Sequence, residues 1–217
     1  MNADDMMTMQ PSGELRRCMA LDPSAQCLQL ATVECGHPRN RTVLLEGVRF
    51  SDFDKTNSRV VVCFKASNRS SKVVHADNDC IEICWWFPRA GVQWRVAGTV
   101  EYIENTHSGE KFRMRQQCWK HLNRAAQSMF FHSGKVEATN SFASQDEAFK
   151  SYLQSKEAQI PPVSFAFGAV AANELDFLDL NTCSRKTWKW NASDGMYALV
   201  HDGFAPPTVS TLVAAKD

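Results

Sequence analysis

Apolar and polar residues alternate with a period of two in two stretches of this chain, Arg41 to Val48 and Val92 to Ile103. Leu28 to Glu34, Arg41 to Phe50, Arg59 to Lys65 and Val92 to Ile103 each read as strands. In the last of these, Trp94, Val96, Val100 and Tyr102 take one face, and Gln93, Arg95, Ala97, Thr99 and Glu101 take the other. Cys80 to Phe87 is almost continuously apolar and predicts a central strand covered on both faces. Cys35 to Asn40 reads as a hairpin turn and Ser51 to Ser58 as a polar loop. Helical spacing takes over in three places. Gly13 to Leu21 carries Leu15, Cys18 and Met19 and is stopped by Asp22-Pro23; Asn68 to Asn78 reads as a turn plus a short helix. His107 to Met129 carries Phe112, Arg115, Trp119 and Leu122 at three- and four-residue steps. A capping box, Ser144-Gln145-Asp146-Glu147, opens a further helix to about Lys156, and Ile160-Pro161-Pro162 ends it. The tail returns to strands at Val163–Val170, Leu175–Leu180, Lys186–Asn191 and Tyr197–His201, with a turn at Asn191–Gly195.

No helix signal separates the first three strands, which argues against a parallel α/β sheet. The order predicts a mainly β, antiparallel barrel with flanking helices. A length of 217 residues suits one domain. Residues 13–217 are expected to form it, with a helical insert at about 107–157, behind a polar, Met-rich tail over 1–12. Lys+Arg and Asp+Glu both number 24, so net charge is zero. That balance argues against coating nucleic acid or a membrane surface, although a small anion needs only a few local cations. Eight cysteines occur without a CxxC or a histidine at zinc spacing, several within apolar runs. They read as free thiols in a reducing compartment, hence the cytoplasm, with no metal. No apolar stretch approaches the ~20 residues of a membrane-spanning helix.

Three stretches carry candidate chemistry. Arg41 shares a strand face with Val43 and Leu45, so its guanidinium needs an anionic partner. In Asn68-Arg69-Ser70-Ser71-Lys72, two hydroxyls between two cations at the mouth of a helix suit a phosphate; a capped surface turn with solvated cations is the alternative. Gln93 and Arg95 lie on one face, two residues apart. The amide suits the edge of a flat heterocycle, whereas a cross-strand ion pair with Glu82 would explain Arg95 without a ligand. Of Trp85 and Trp86, one is expected in the core and the other at a dimer contact; Trp188 and Trp190 share a face, with packing as their default. Motifs for hydrolases, metalloproteases, P-loops and dinucleotide folds are absent, and no catalytic histidine can be assigned.

The ordered set Leu28-Gln-Leu-Ala-Thr-Val33, Asn40-Arg-Thr-Val-Leu-Leu45, Asn68-Arg-Ser-Ser-Lys72, Cys84-Trp-Trp-Phe-Pro88, Gln93-Trp-Arg95, Arg115-Gln-Gln-Cys-Trp119 and Pro161-Pro162 resembles the pyridoxamine 5′-phosphate oxidase family, and more closely its cyanobacterial-type FMN-binding branch. The similarity spans roughly Gly13 to Pro207. It implies a Greek-key split β-barrel, assembled as a homodimer with FMN between the subunits. It also implies an FMN-dependent oxidoreductase that passes two electrons from a small substrate to the flavin and then to oxygen or another acceptor; the alternative is a non-catalytic FMN carrier or sensor. By the same resemblance, Arg41, Arg69, Ser70, Ser71 and Lys72 hold the phosphate, with Val43 and Leu44 lining the groove. Gln93 and Arg95 belong to the flavin set, and Arg185, or Lys186, meets the ring. Arg115 is the one substrate residue carried over. One departure stands out: a lysine closes the family's second strand where this chain has Glu46.

Overall fold

The computed structural model describes residues 10–50, 59–70, 73, 80–131, 142–155 and 160–204. Eight antiparallel strands dominate: β1 (Cys27–Glu34), β2 (His37–Phe50), β3 (Val60–Ser67), β4 (Cys80–Phe87), β5 (Val92–Ile103), β6 (Phe165–Asp179), β7 (Ser184–Asn191) and β8 (Met196–Phe204). Among the described residues four helices accompany them: α1 (Pro11–Leu21), α2 (Gly109–His121), α3 (Arg124–Ser128) and α4 (Phe142–Gln154). The sheet order is β3-β2-β1-β4-β5-β6-β7-β8, and β3 also pairs with β6. That extra pairing closes six strands into a barrel, and β7 and β8 continue outward from β6. This is the split β-barrel with flanking helices that the sequence implied.

The β1–β2 connection is tighter than expected. Cys35 (φ +51°) and Gly36 (φ +73°) form the whole turn, so His37 already pairs with Glu34. Two predicted strands also merge into one. The first part of β6 pairs with β3 and the last part with β7, while β5 runs alongside throughout. Opposite Ala97 and Gly98, β6 carries one extra residue, Asn173, as a β-bulge. A Cβ on Gly98 would lie 2.2 Å from the Ala171 carbonyl oxygen, so only glycine fits there.

Inside the barrel lie Leu28, Leu30, Val62, Phe64, Ile83, Trp85, Phe87, Trp94 and Val96, all essentially buried. The capping helix α1 contributes Leu15 and Cys18 to this core, and Asp22 at its end accepts from the Arg89 backbone N–H, tying α1 to the β4–β5 turn. Trp188 stacks on Trp94 at 5.9 Å, so it packs in the core, and Trp190 meets Tyr197 edge-on. A second core lies outside the wall, where Cys118, Trp119 and Leu122 pack on Cys63, Ile103, Phe165 and Phe167. This side of the barrel is therefore covered by helix. The opposite outer side, across β1, β2, β4, β5 and the end of β6, presents Val33, Leu44, Trp86 and Leu180 to solvent. No helix among the described residues is long and apolar enough to cross a membrane.

Candidate functional site

Strand pairing decides which candidate residues meet. Arg41 pairs with Leu30 and lies on the inner side of β2, as does Val43, which is in the core. Val43 therefore cannot line a groove with its side chain; Leu44, on the outer side and 49% exposed, can. The β2–β3 ladder stops at Leu45↔Phe64, while β3 stays with β6 as far as Ser67↔Phe165. Beyond Phe64 the two strands part and the barrel opens. Asn68 follows β3 directly, in the turn that the Ser70 hydroxyl closes on the Ser67 carbonyl. Arg41 on β2 and Asn68 just past β3 belong to the two strands that part there.

Arg41 has its anionic partner within its own hairpin. Its Nη1 donates to Thr32 Oγ1 at 2.6 Å, and its Nη2 donates to the Glu34 carboxylate. Arg39 adds a weaker contact to Glu34 at 3.9 Å. Past β3, the Asn68 amide donates to the Val163 carbonyl at 3.0 Å, whereas its buried Oδ1 accepts nothing. The chain then turns: the Ser70 hydroxyl donates to the Ser67 carbonyl at 2.7 Å, and the Val73 N–H reaches the Ser70 carbonyl at 2.9 Å. Arg69 is exposed. Ser71 and Lys72 fall outside the described residues, as does most of the short helix expected there.

The remaining flavin candidates occupy the outer side. One row of paired residues runs Trp86, Gln93, Leu178, Arg185. The next runs Thr42, Gln29, Cys84, Arg95, Asp176, Thr187. Gln93 and Arg185 are two strands apart, roughly 10 Å. Lys186 pairs with Phe177, a core residue, and so lies on the other side of the wall. Of the two late cations, only Arg185 shares a face with Gln93. Both outer arginines are engaged. Arg95 donates to Glu82 at 2.6 Å, the ion pair that needs no ligand, and Arg185 grips Asp176 with contacts of 3.0 and 3.1 Å from Nε. Each carboxylate raises its arginine's pKa. These side chains, with Ala97 and Glu174, line a small pocket of about 110 Å³.

Arg115 stands elsewhere. It is 1% exposed and its guanidinium points at backbone carbonyls, those of Phe165 at 3.0 Å and Pro162 at 2.5 Å, with Pro161 at 3.4 Å. Burial lowers its pKa. It clamps α2 to the start of β6, with its guanidinium turned to these carbonyls and buried from solvent. Trp85 is in the core and Trp86 is 40% exposed on the outer side. Glu46 lies at the far end of β2, with Lys65 Nζ at 3.5 Å; burial raises its carboxyl pKa, and Lys65 opposes the shift.

Thr32, Glu34 and Asp176 escaped the reading of the sequence. The first two had a signal. Leu28, Leu30, Thr32 and Glu34 share one strand face, and two polar residues ending a core-facing row call for a partner. Asp176 had none, because its role depends on the pairing of three strands.

Known proteins now bear on this geometry. Residues 14–104 match the family model described as pyridoxamine 5′-phosphate oxidase, FMN-binding domain. A pyridoxine/pyridoxamine 5′-phosphate oxidase 2 from Arabidopsis thaliana is 30% identical over 95 residues, 42% of this chain. The match spans 44% of that plant protein, less than half its length. Among solved structures, a pyridoxamine 5′-phosphate oxidase-related, FMN-binding protein from Nostoc punctiforme superposes with a TM-score of 0.69 at 23% identity, covering 91% of this chain and 98% of that one. PhzG from Burkholderia lata, solved with tetrahydrophenazine-1-carboxylic acid, gives 0.65 at 14% identity over 90% and 92%. Residues 14–104 thus carry the pattern of the pyridoxamine 5′-phosphate oxidase FMN-binding domain, and the chain as a whole has the fold of the pyridoxamine 5′-phosphate oxidase-related FMN-binding proteins.

Proposed function

We propose that this chain binds FMN and works as an FMN-dependent oxidoreductase on a small substrate, as a homodimer. The observation that carries the reading is the opening between β2 and β3. The β2 side holds a guanidinium whose terminal nitrogens each keep a second N–H. The β3 side holds exposed Arg69 and the Ser67–Ser70 turn. Arginine, serine and a helix-opening turn are the donor set a phosphate requires. Ser71 and Lys72 extend this donor set in the sequence.

FMN, when bound, supplies two-electron redox chemistry, and the chain's own residues then orient and tune it. Gln93 presents an amide to the flavin edge, and Arg185 presents a cation on the same face. Arg41 faces into the barrel and Arg185 faces away from it, so a site that uses both draws on two copies. The outer side fits that role, since Leu44, Trp86 and Val33 are apolar and exposed there. A non-catalytic FMN carrier is the second reading. It is favoured by Glu46, a carboxylate locked to Lys65 where the oxidase resemblance puts a lysine.

The test is titration of the purified chain with FMN and riboflavin, followed by anaerobic screening of amine and alcohol substrates for flavin bleaching. FMN is expected to bind more tightly than riboflavin. Equal affinities, or no quenching of either flavin at micromolar protein, would remove the phosphate site and the proposal with it. Tight FMN binding without bleaching by any substrate would select the carrier. Sedimentation should show a dimer that Trp86→Lys weakens.

A further inference from the structure

Arginine is a costly phosphate ligand when it is loose, because a long side chain must be ordered as the ligand arrives. Arg41 is not loose. Thr32 Oγ1 and the Glu34 carboxylate take one N–H from each terminal nitrogen and fix the plane of the guanidinium. Both supports come from β1, two residues apart on its inner side, and the two-residue turn at Cys35–Gly36 holds that strand in register with β2.

We infer that Glu34, seconded by Thr32, is a positioning residue for the phosphate of the ligand, acting through Arg41. The inference rests on the reading that Arg41 meets a phosphate. A carboxylate beside the cation has another conceivable role, as an internal anion that the ligand must displace. The geometry opposes it. The Glu34 side chain is 12% exposed and has Arg39 as a second cation at 3.9 Å. Displacement would leave a nearly buried carboxylate without its main partner, which is strongly unfavourable. The phosphate is therefore added to the pair and does not replace Glu34. Held this way, the guanidinium keeps one N–H on each terminal nitrogen for the phosphate.

The experiment compares FMN with riboflavin, which lacks the phosphate, in wild type, Glu34→Gln, Glu34→Asp and Thr32→Val, alongside thermal melts. Glu34→Gln should lose roughly tenfold in FMN affinity, the scale set by losing an orienting partner, with riboflavin affinity unchanged. Thr32→Val should lose less in the same direction, and it carries the test if Glu34→Gln does not fold. Glu34→Asp should recover part of the loss. FMN affinity that stays level or rises in Glu34→Gln would overturn the inference, as would equal losses for both flavins, which mark a purely structural role. A wild-type chain without preference for FMN would instead refute the underlying phosphate reading, and the inference falls with it.

Discussion

Replacing Arg115 by methionine separates a structural clamp from a substrate ligand. Methionine keeps much of the side-chain length and loses every donor. The carbonyls of Phe165 and Pro162 would lose contacts of 3.0 and 2.5 Å, and Pro161 a longer one of 3.4 Å. Two good hydrogen bonds from a charged donor contribute about 1.5–3 kcal/mol each. Part of that returns, because the buried guanidinium is itself desolvated, as its lowered pKa records. The net loss is about 2–4 kcal/mol. At about 2–4 °C per kcal/mol for a chain of this size, Tm should fall by about 5–15 °C. The assay pairs a thermal melt with FMN titration and steady-state kinetics below the melting range. A clamp predicts a lower Tm with FMN affinity and KM unchanged. An unchanged Tm with a raised KM would refute the reasoning and return Arg115 to the substrate.

Two further substitutions probe the same framework. Burial holds the Glu46 carboxyl above the usual carboxylate range. The folded state therefore binds that proton more tightly, and this group's contribution to stability falls as pH rises through the raised range; Glu46→Gln should flatten that part of the stability–pH curve, measured by denaturant melts at a series of pH values, and an unaltered curve would count against the buried-carboxylate account. The Tyr197 hydroxyl accepts from Val60 N–H at 3.2 Å and donates to the Ala172 carbonyl at 3.1 Å, joining β8 to the place where β6 passes from β3 to β7; Tyr197→Phe should cost about 1–3 kcal/mol in urea unfolding, and no loss would show that the hydroxyl adds nothing to that junction.

Much of the barrel was legible because its signals are local. Alternation identified β5, apolar β-leaning runs identified β1, β3 and β4, and Asn191–Gly195 was recognisable as a turn from its composition. The merger of two segments into β6 was not, because Ala171 to Glu174 carry no strand pattern of their own and are held by β5 on one side. The site was half legible for a similar reason. Arg41 announced itself as a charge on an apolar face, and the need for an anion followed at once. Which anion did not follow, because Glu34 is seven residues away in sequence and becomes its neighbour only through the hairpin register. The burial of Arg115 was not legible, because helical spacing says which residues share a face, not whether that face is covered. The chain that covers it comes from residues 161–165, about fifty positions on.

Glu46 departs from the lysine of the oxidase resemblance, and the fold sets how far that departure reaches toward a phosphate at Arg41. Five residues of strand separate it from Arg41, roughly 16 Å at the usual rise. At that distance two unit charges interact by about 1 kcal/mol at the effective dielectric of about 20 that suits a partly buried pair, and the Debye length at physiological salt is only about 8 Å. Lys65, 3.5 Å away, cancels most of what is left. The two residues also serve different environments. Arg41 stands at the opening of the barrel with Thr32 and Glu34, whereas Glu46 lies in the surroundings of Lys65, Arg49 and His121 at the carboxyl end of α2. Exchanging a lysine for Glu46 therefore leaves the phosphate end of β2 almost untouched. It alters the α2 end, where an added lysine would confront Lys65 and Arg49 without a carboxylate between them. The departure from the oxidase pattern thus bears on what that end of the strand can accept, and hardly at all on the flavin.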